Sequence, residues 1–213
     1  TGESNNQGRL ALDVFGNSWG WSRSGKIKDW NELMHRQSYN SKLKIFQQSG
    51  TQLWNKSIAA KNLLQSDDLQ RNLSSYDFII GAQRCNKCGW HPATLWIGIG
   101  CERNTSFSLL ERSISEALEK SELAEEAVAG LATIDIKDNE QGLIKLSHKK
   151  GWPIRFFNSQ KLSKISVPNP SEIVAQEVGC NSVAEASSVL ASGSDSELLQ
   201  EKIIFFANEN EIG

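Results

Sequence analysis

Apolar positions come in short, isolated runs over the first ninety residues and in regular strand and helix periods after that. Leu10–Phe15 reads as a short buried strand ended by Gly16, and Asp29–Gln37 as a helix with Asp29 at its N-cap. Leu43–Phe46 is a second expected strand before Gly50, and Tyr76–Ile80 a third with a turn at Gly81. The first nine residues are polar and read as a frayed end or incoming linker. The stretch from Asn55 to Ser75 is polar with few punctuation signals. His91-Pro92 favours an extended entry, so a boundary is expected near Gly89–Pro92.

Beyond that boundary the periodicity sharpens. Thr94–Gly100 has a buried-strand pattern ending in Gly-x-Gly, followed by a helix from about Ser106 to Lys120 whose apolar face carries Phe107, Leu110, Ile114 and Leu118. Gly130–Ile136 is β-rich, and Asp138-x-x-Gln141 is a capping-box pattern for a helix closed by Gly151. Ile154–Phe157 is a further strand. Asn169-Pro170-Ser171-Glu172 combines an N-cap residue, Pro at the first helical position and Glu at the third, with Gly179 ending that helix. Ser182-x-x-Glu185 opens one more helix ending near Gly193, and Ile203–Phe206 is the last expected strand. Alternation of this kind predicts an α/β fold: a layered α/β/α sheet domain over 93–213, preceded by a smaller mixed α+β region over 1–92.

Composition removes several function classes. The 23 basic and 25 acidic residues are interspersed and give a net charge of −2, with no basic block to suit nucleic acid or a membrane surface. The longest apolar runs are far too short to span a bilayer, and the N-terminus lacks a signal-peptide pattern, so a cytoplasmic protein is expected. Thr1-Gly2-Glu3-Ser4 stands where a Met would begin a chain, which suggests a piece of something longer.

Three places could carry chemistry. Gly98-Ile99-Gly100-Cys101-Glu102-Arg103-Asn104-Thr105-Ser106 takes a strand through glycines into a helix N-terminus, where free N–H groups bind carboxylates or phosphates. Arg103 adds a bidentate donor, and Thr105 and Ser106 add hydroxyls. The plainer reading is a strand–helix turn capped by Ser or Thr; the third glycine of a dinucleotide fingerprint is missing. Thr133–Asp138 likewise brings a strand end to a helix start, with Asp135 and Lys137 either at a ligand or simply in solvent. Val167–Glu172 is the third helix start, its alternative being capping alone. Whether the three converge is open at this level.

Cys85-x-x-Cys88-x-x-His91 has local spacing that suits zinc, but no second ligand pair is present, and two reduced cysteines in a loop are the favoured account. Cys180 reads as a packing residue, and His35 and His148 as surface residues on helices. Five of the seven tryptophans precede His91. Flat indoles could face a large ring ligand, though core packing is their commoner use.

Leu95–Ser106 (LWIGIGCERNTS), Ala129–Lys137 (AGLATIDIK), Trp152–Phe157 (WPIRFF), Val167–Glu172 (VPNPSE) and Val178–Ala191 (VGCNSVAEASSVLA) stand in the order and spacing of the CbiG/CobE C-terminal domain, which the chain resembles. Leu10–Trp21 (LALDVFGNSWGW), Asp29-Trp30 and Gln47–Trp54 (QQSGTQLW) resemble the middle region of CbiG. Two positions depart from the family pattern: Asn104 replaces a usual glycine, and Asp138-Asn139-Glu140 follows the Asp-Ile-Lys triplet where Ala-Asp-Glu is usual.

The resemblance implies a role in cobalamin (vitamin B12) biosynthesis as part of a cobalt-precorrin-5A hydrolase, which opens a δ-lactone on the macrocycle and releases acetaldehyde. It also implies an N-terminal domain before Thr1 and, in some organisms, a fused methyltransferase after Gly213. The implied ligand is a corrin precursor rich in acetate and propionate groups, with cobalt carried by the substrate and no metal or other cofactor on the protein. On this reading Glu102, Asp135 and Glu172 are candidate catalytic bases. Gly98, Gly100, Cys101, Arg103, Thr105, Ser106, Lys137, Asn169 and Ser171 are candidate substrate-binding residues. No nucleophile–His–acid set is visible, so direct attack by water is expected. The alternative is a non-catalytic module of CobE type that binds or hands over a corrin precursor. Partners would be that precursor and other biosynthetic enzymes, with neither nucleic acid nor membrane.

Overall fold

The computed structural model describes residues 8–66, 73–85, 87–193 and 195–211, so the expected linker is covered only at its end, the other residues of that stretch lying outside the described ones. Two compact units divide the chain: residues 1–94 with 122–127, and residues 95–121 with 128–213.

The first unit is built on a five-stranded sheet: β1 (Ser22–Ser24), β2 (Leu43–Gln47), β3 (Leu63–Ser66), β4 (Phe78–Ile80) and β5 (Gly89–His91). Their order is β1-β5-β4-β2-β3, parallel except for β1. Alternate residues of a strand point to opposite faces. Accordingly Leu43, Ile45, Phe78 and Ile80 enter one core with Trp30, Trp54 and Trp90, while Phe46 and Ile79 pack with Tyr76 in another. The helix α1 (Ile27–Ser38) buries Trp30, Leu33 and Gln37 at helical spacing. It begins two residues before the expected start. Lys26 holds the N-cap without a side-chain bond, and Asp29 sits in the first turn, where its charge suits the helix dipole.

A further expectation in this unit is corrected. Leu10–Phe15 is not a strand: the Phe15 N–H donates to Ala11 O at 2.9 Å, and a 3-10 helix follows over Phe15–Trp19. Leu12 and Phe15, three apart, both point inward on that coil, and the Leu12 carbonyl accepts from Trp90 Nε1 at 2.9 Å. Gly16 is required there, because a Cβ would collide with the Trp90 ring. Within 55–75, β3 forms although its sequence gives little signal. Gly89–His91 is extended, as its proline neighbour favours, and forms a buried strand; the units divide after Thr94, and the stretch 122–127 returns to this unit through an antiparallel bridge between Gln83 and Leu123.

In the second unit, β6 (Leu95–Gly98), β7 (Val128–Ile134) and β8 (Ile154–Phe157) form an all-parallel sheet in that order. The helices α2 (Phe107–Lys120) and α3 (Gln141–Lys150) pack against each other, as expected of two successive crossovers of the same hand between neighbouring parallel strands. Leu110, Ile114 and Leu118 are the buried stripe of α2, as their spacing requires. The short helices α4 (Ser159–Leu162) and α5 (Glu172–Val178) precede α6 (Val183–Ser192), which lies across β6 and β7. There Ile134 packs with Leu162, Cys180, Val183 and Ala186. The result is the expected α/β/α layering.

The segment expected as a last strand, Ile203–Phe206, joins no ladder. Side chains fasten this end of the chain instead. Arg112 of α2 donates from Nη2 to Phe206 O (2.8 Å) and from Nε and Nη2 to the Glu211 carboxylate (2.7 and 2.8 Å). The hydrogen bonds from Arg112 hold the Glu211 carboxyl down at about 2. No helix among the described residues is long and apolar enough to cross a membrane.

Candidate functional site

The parallel strands of the second unit all empty at one edge, the place where open α/β sheets collect ligands. Residues 99–106 follow β6 there, and a 3-10 turn, Asp135–Lys137, follows β7. Arg103 joins the two. Its Nη2 donates to Ile136 O and its Nη1 to Asn139 Oδ1, both at 2.6 Å, while 54% of its side chain stays exposed. Beneath lies Glu140, 3% exposed, with Oε2 at 3.8 Å from Arg103 Nη1 and 4.0 Å from Lys137 Nζ. These are ion-pair rather than hydrogen-bond distances. Lys137 itself is buried.

The first loop is shaped locally. Asn104 holds φ +60, a left-handed conformation that Gly and Asn tolerate best. That accounts for the family's glycine and for asparagine as its replacement. Thr105 Oγ1 donates to Glu102 O at 2.9 Å, and Ser106 caps α2, accepting from the Leu109 N–H at 3.3 Å. Burial pushes the Cys101 thiol up, against the opposing pull of Lys137. Gly100 is exposed and its absent side chain leaves ordinary room beside Val183. Gly98 has a different job: a Cβ there would collide with the Ala184 carbonyl, so this glycine lets α6 lie directly on β6.

At the second and third loops, one cap each differs from expectation. Ser171, not Asn169, is the N-cap of α5, its Oγ accepting from Val174 N–H at 3.4 Å, so Glu172 starts the helix instead of standing third. Asn169 is engaged elsewhere: its N–H and Nδ2 donate to the two Glu185 carboxylate oxygens (3.1 and 2.8 Å), and Nδ2 also reaches Glu201. Likewise Asp138 does not cap α3. Glu140 occupies that position without a side-chain cap bond, while the Asp138 N–H closes the preceding turn onto Asp135 O.

Glu185 is 2% exposed in the first turn of α6. Burial alone would raise its carboxyl, but donors from Lys202 N–H and Asn169 outweigh that and hold it low. The structure thus brings the first two loops into direct contact through Arg103. It ties the third to the start of α6, whose Val183 also adjoins Gly100. Glu102, Asp135 and Glu172 are all exposed.

Asn139, Glu140 and Glu185 went unrecognised as site-building residues in the sequence. The first two lay inside an apparent cap, the last at the start of a helix where the Glu185 N–H donates to Ser182 Oγ at 3.4 Å. In the first unit His91 is fully buried. Its Nδ1 lies 2.7 Å from Gly81 O, so Nδ1 carries the proton, and Nε2 accepts from Ser24 Oγ at 2.7 Å. Burial lowers its pKa. With both ring nitrogens engaged, His91 does not complete a zinc site with Cys85 and Cys88; burial pushes the Cys88 thiol up to about 12. No group of three metal-ligating side chains occurs among the described residues. The tryptophan indoles Trp30, Trp54 and Trp90 are core.

Comparison with known proteins converges on one lineage. The chain is 35% identical over 114 residues to a cobalt-precorrin-5A hydrolase of Priestia megaterium, covering 53% of this chain and 30% of that one. It is 30% identical over 141 residues to a cobalt-precorrin-5A hydrolase of Salmonella typhimurium, covering 62% and 40%. To protein CobE of a Sinorhizobium species it is 28% identical over 114 residues, covering 53% and 74%. The chain therefore spans less than half the length of the two hydrolases. The family model described as cobalamin synthesis G C-terminus matches residues 95–210, more than half of the chain and the whole of the strand-end site, and the protein belongs to that family.

Proposed function

We propose that this chain is part of a cobalt-precorrin-5A hydrolase of cobalamin biosynthesis, and that its strand-end loops hold the peripheral carboxylates of the corrin precursor. The observation that supports this most is Arg103, pinned between the loops after β6 and β7 with half its side chain in solvent. A fixed guanidinium matches a carboxylate bidentately and loses little entropy on binding one. The main-chain N–H groups at the start of α2 and the hydroxyls of Thr105 and Ser171 lie on or beside the same three loops.

Lactone opening adds water to the ring carbonyl and expels the ring oxygen, which needs a base for the water and donors for the developing oxyanion. Glu102 lies on the first of the joined loops, Asp135 in the turn after β7 and Glu172 at the start of α5, all solvent-accessible and able to take that proton. Lys137, Arg103 and the amides of 100–106 are the donors of this reading, and cobalt arrives inside the macrocycle. The protein would work in the cytoplasm with other enzymes of the pathway.

The test is acetaldehyde release from cobalt-precorrin-5A. Release by this chain, lost on neutralising Glu102, Asp135 and Glu172 together, fits the hydrolase reading. Binding of the substrate without release, unchanged by those substitutions, instead fits a CobE-type binding module. The coverage of CobE, much higher than that of either hydrolase, favours keeping this second reading.

A further inference from the structure

No nucleophile stands beside a histidine and an acid in the sequence, but the fold of the first unit brings a serine and a histidine together across 67 residues. Ser24 ends the edge strand β1, and its Oγ lies 2.7 Å from Nε2 of His91 on β5. The imidazole is fixed from its other side. Nδ1 donates to the Gly81 carbonyl at 2.7 Å, so Nε2 turns its lone pair to the serine hydroxyl. Register explains how the two meet. β1 and β5 run antiparallel with Ser24 opposite Gly89, and His91 follows two residues on, on the same face. A Cβ on Gly89 would stand 2.8 Å from Nε2 and 2.9 Å from Oγ, so its absence leaves the space in which these groups touch. His91 is wholly buried, whereas Ser24 is half-buried between exposed Arg23 and Gly25.

We propose that Ser24 and His91 form a nucleophilic dyad for acyl transfer from small carboxylic esters, the Gly81 carbonyl standing where a triad has its carboxylate. This activity goes beyond the strand-end site and does not rest on it. His91 Nε2 takes the hydroxyl proton as Oγ bonds to the ester carbon and the carbonyl pair moves onto oxygen. As that pair returns, the bond to the alkoxy oxygen breaks, and the leaving alcohol takes the proton from Nε2. Water then attacks the acyl-serine through the same base, which releases the carboxylic acid and restores the Oγ–H. Burial keeps the ring neutral, as a base must be, while the Gly81 carbonyl and Glu126 favour the imidazolium formed in passing. A hydroxyl that only satisfied a buried imidazole would be no more reactive than the other serines of the chain.

The experiment exposes the whole folded chain to an alkyl fluorophosphonate and locates the adduct by peptide mass spectrometry. Attack forms the Oγ–P bond and expels fluoride, with the proton passing to Nε2. The expected result is a single modified serine, Ser24, and no adduct in Ser24→Ala. His91→Gln should slow labelling roughly a hundredfold. Gly89→Ala, which drives a methyl group between the two side chains, should slow it comparably with both reactive residues present. Near-ultraviolet circular dichroism of the buried Trp30 and Trp90 shows which variants are folded. No adduct on the folded chain, or adducts on other serines instead, overturns the dyad. So does labelling of Ser24 at an unchanged rate in either folded variant. Should both buried changes unfold the chain, selective labelling of Ser24 in the unaltered chain decides alone.

Discussion

Arg103 Nη2 donates to the main-chain carbonyl of Ile136 at 2.6 Å, so a charged side chain from the loop after β6 is latched onto the backbone of the turn after β7. The latch makes two loops one surface. Replacing Arg103 by Ala should therefore loosen the partner loop as well as its own. Amides of Asp138 and Glu140, which close turns onto Asp135 O and Lys137 O, should exchange faster with solvent. With half the side chain exposed, the cost to stability is small, about 1 kcal/mol. Arg103→Lys should recover charge but not the fork, and should restore exchange protection only partly. Unchanged exchange at 138 and 140 in Arg103→Ala would contradict the latch.

Asn104 is the point where the first loop reverses, at φ +60. Asn104→Gly should keep stability within a few tenths of a kcal/mol, since glycine adopts this conformation freely. Asn104→Val should lose about 1–2 kcal/mol through steric strain in the left-handed region. Urea denaturation of the two variants checks the ordering, and equal stabilities would show that the backbone there is not constrained.

At Gly98 the effect is larger, because the obstacle is backbone. A methyl group would meet the Ala184 carbonyl, and neither β6 nor α6 can yield without disturbing the sheet. Gly98→Ala should cost about 3 kcal/mol, whereas Gly100→Ala, with ordinary contacts to Val183, should cost less than about 1 kcal/mol. Similar losses at the two positions would contradict the different jobs assigned to these glycines.

His91 makes the first unit sensitive to acid. Its folded pKa lies below its ordinary value of 6.5 because burial disfavours the imidazolium. The unfolded chain therefore takes up the proton first as the pH falls. The stability that neutral His91 contributes is complete above about pH 6.5 and is lost as the pH drops through that value toward the folded pKa. Glu211, held down at about 2, acts with the same sign but only below the ordinary carboxyl value of 4.5. Denaturant midpoints between pH 7 and 5, read from the buried Trp30 and Trp90, should fall in the unaltered chain. In His91→Gln they should stay nearly flat over that window. A parallel decline in both would remove His91 as the cause.

The fold of the second unit was readable because its signals are long and redundant. Leu110, Ile114 and Leu118 mark one helix face, and glycines at 151, 179 and 193 stand just past three helix ends. The first unit hides its elements in three- and four-residue strands. Nothing local tells that Gly89-Trp90-His91 pairs on both sides, and Leu12 with Phe15 imitates a strand although a tryptophan side chain takes its backbone carbonyl. At the site, strand-to-helix passages revealed Arg103 and Lys137. Asn139, Glu140 and Glu185 escaped because their partners are remote: Asn139 is 36 residues from Arg103, and Glu185 is 16 from Asn169. Asn169 itself looked like a cap for the same reason.

In the proposed function, the loops at the carboxyl ends of β6 and β7, with the loop before α5, receive the carboxylates of a corrin ring. Amide chemical-shift mapping with cobyrinic acid tests it most directly. Perturbations should concentrate at 100–106, 135–140 and 169–171, and should disappear with a counterpart whose carboxylates are all amidated. Perturbations elsewhere, or equal ones with the amidated corrinoid, would contradict it.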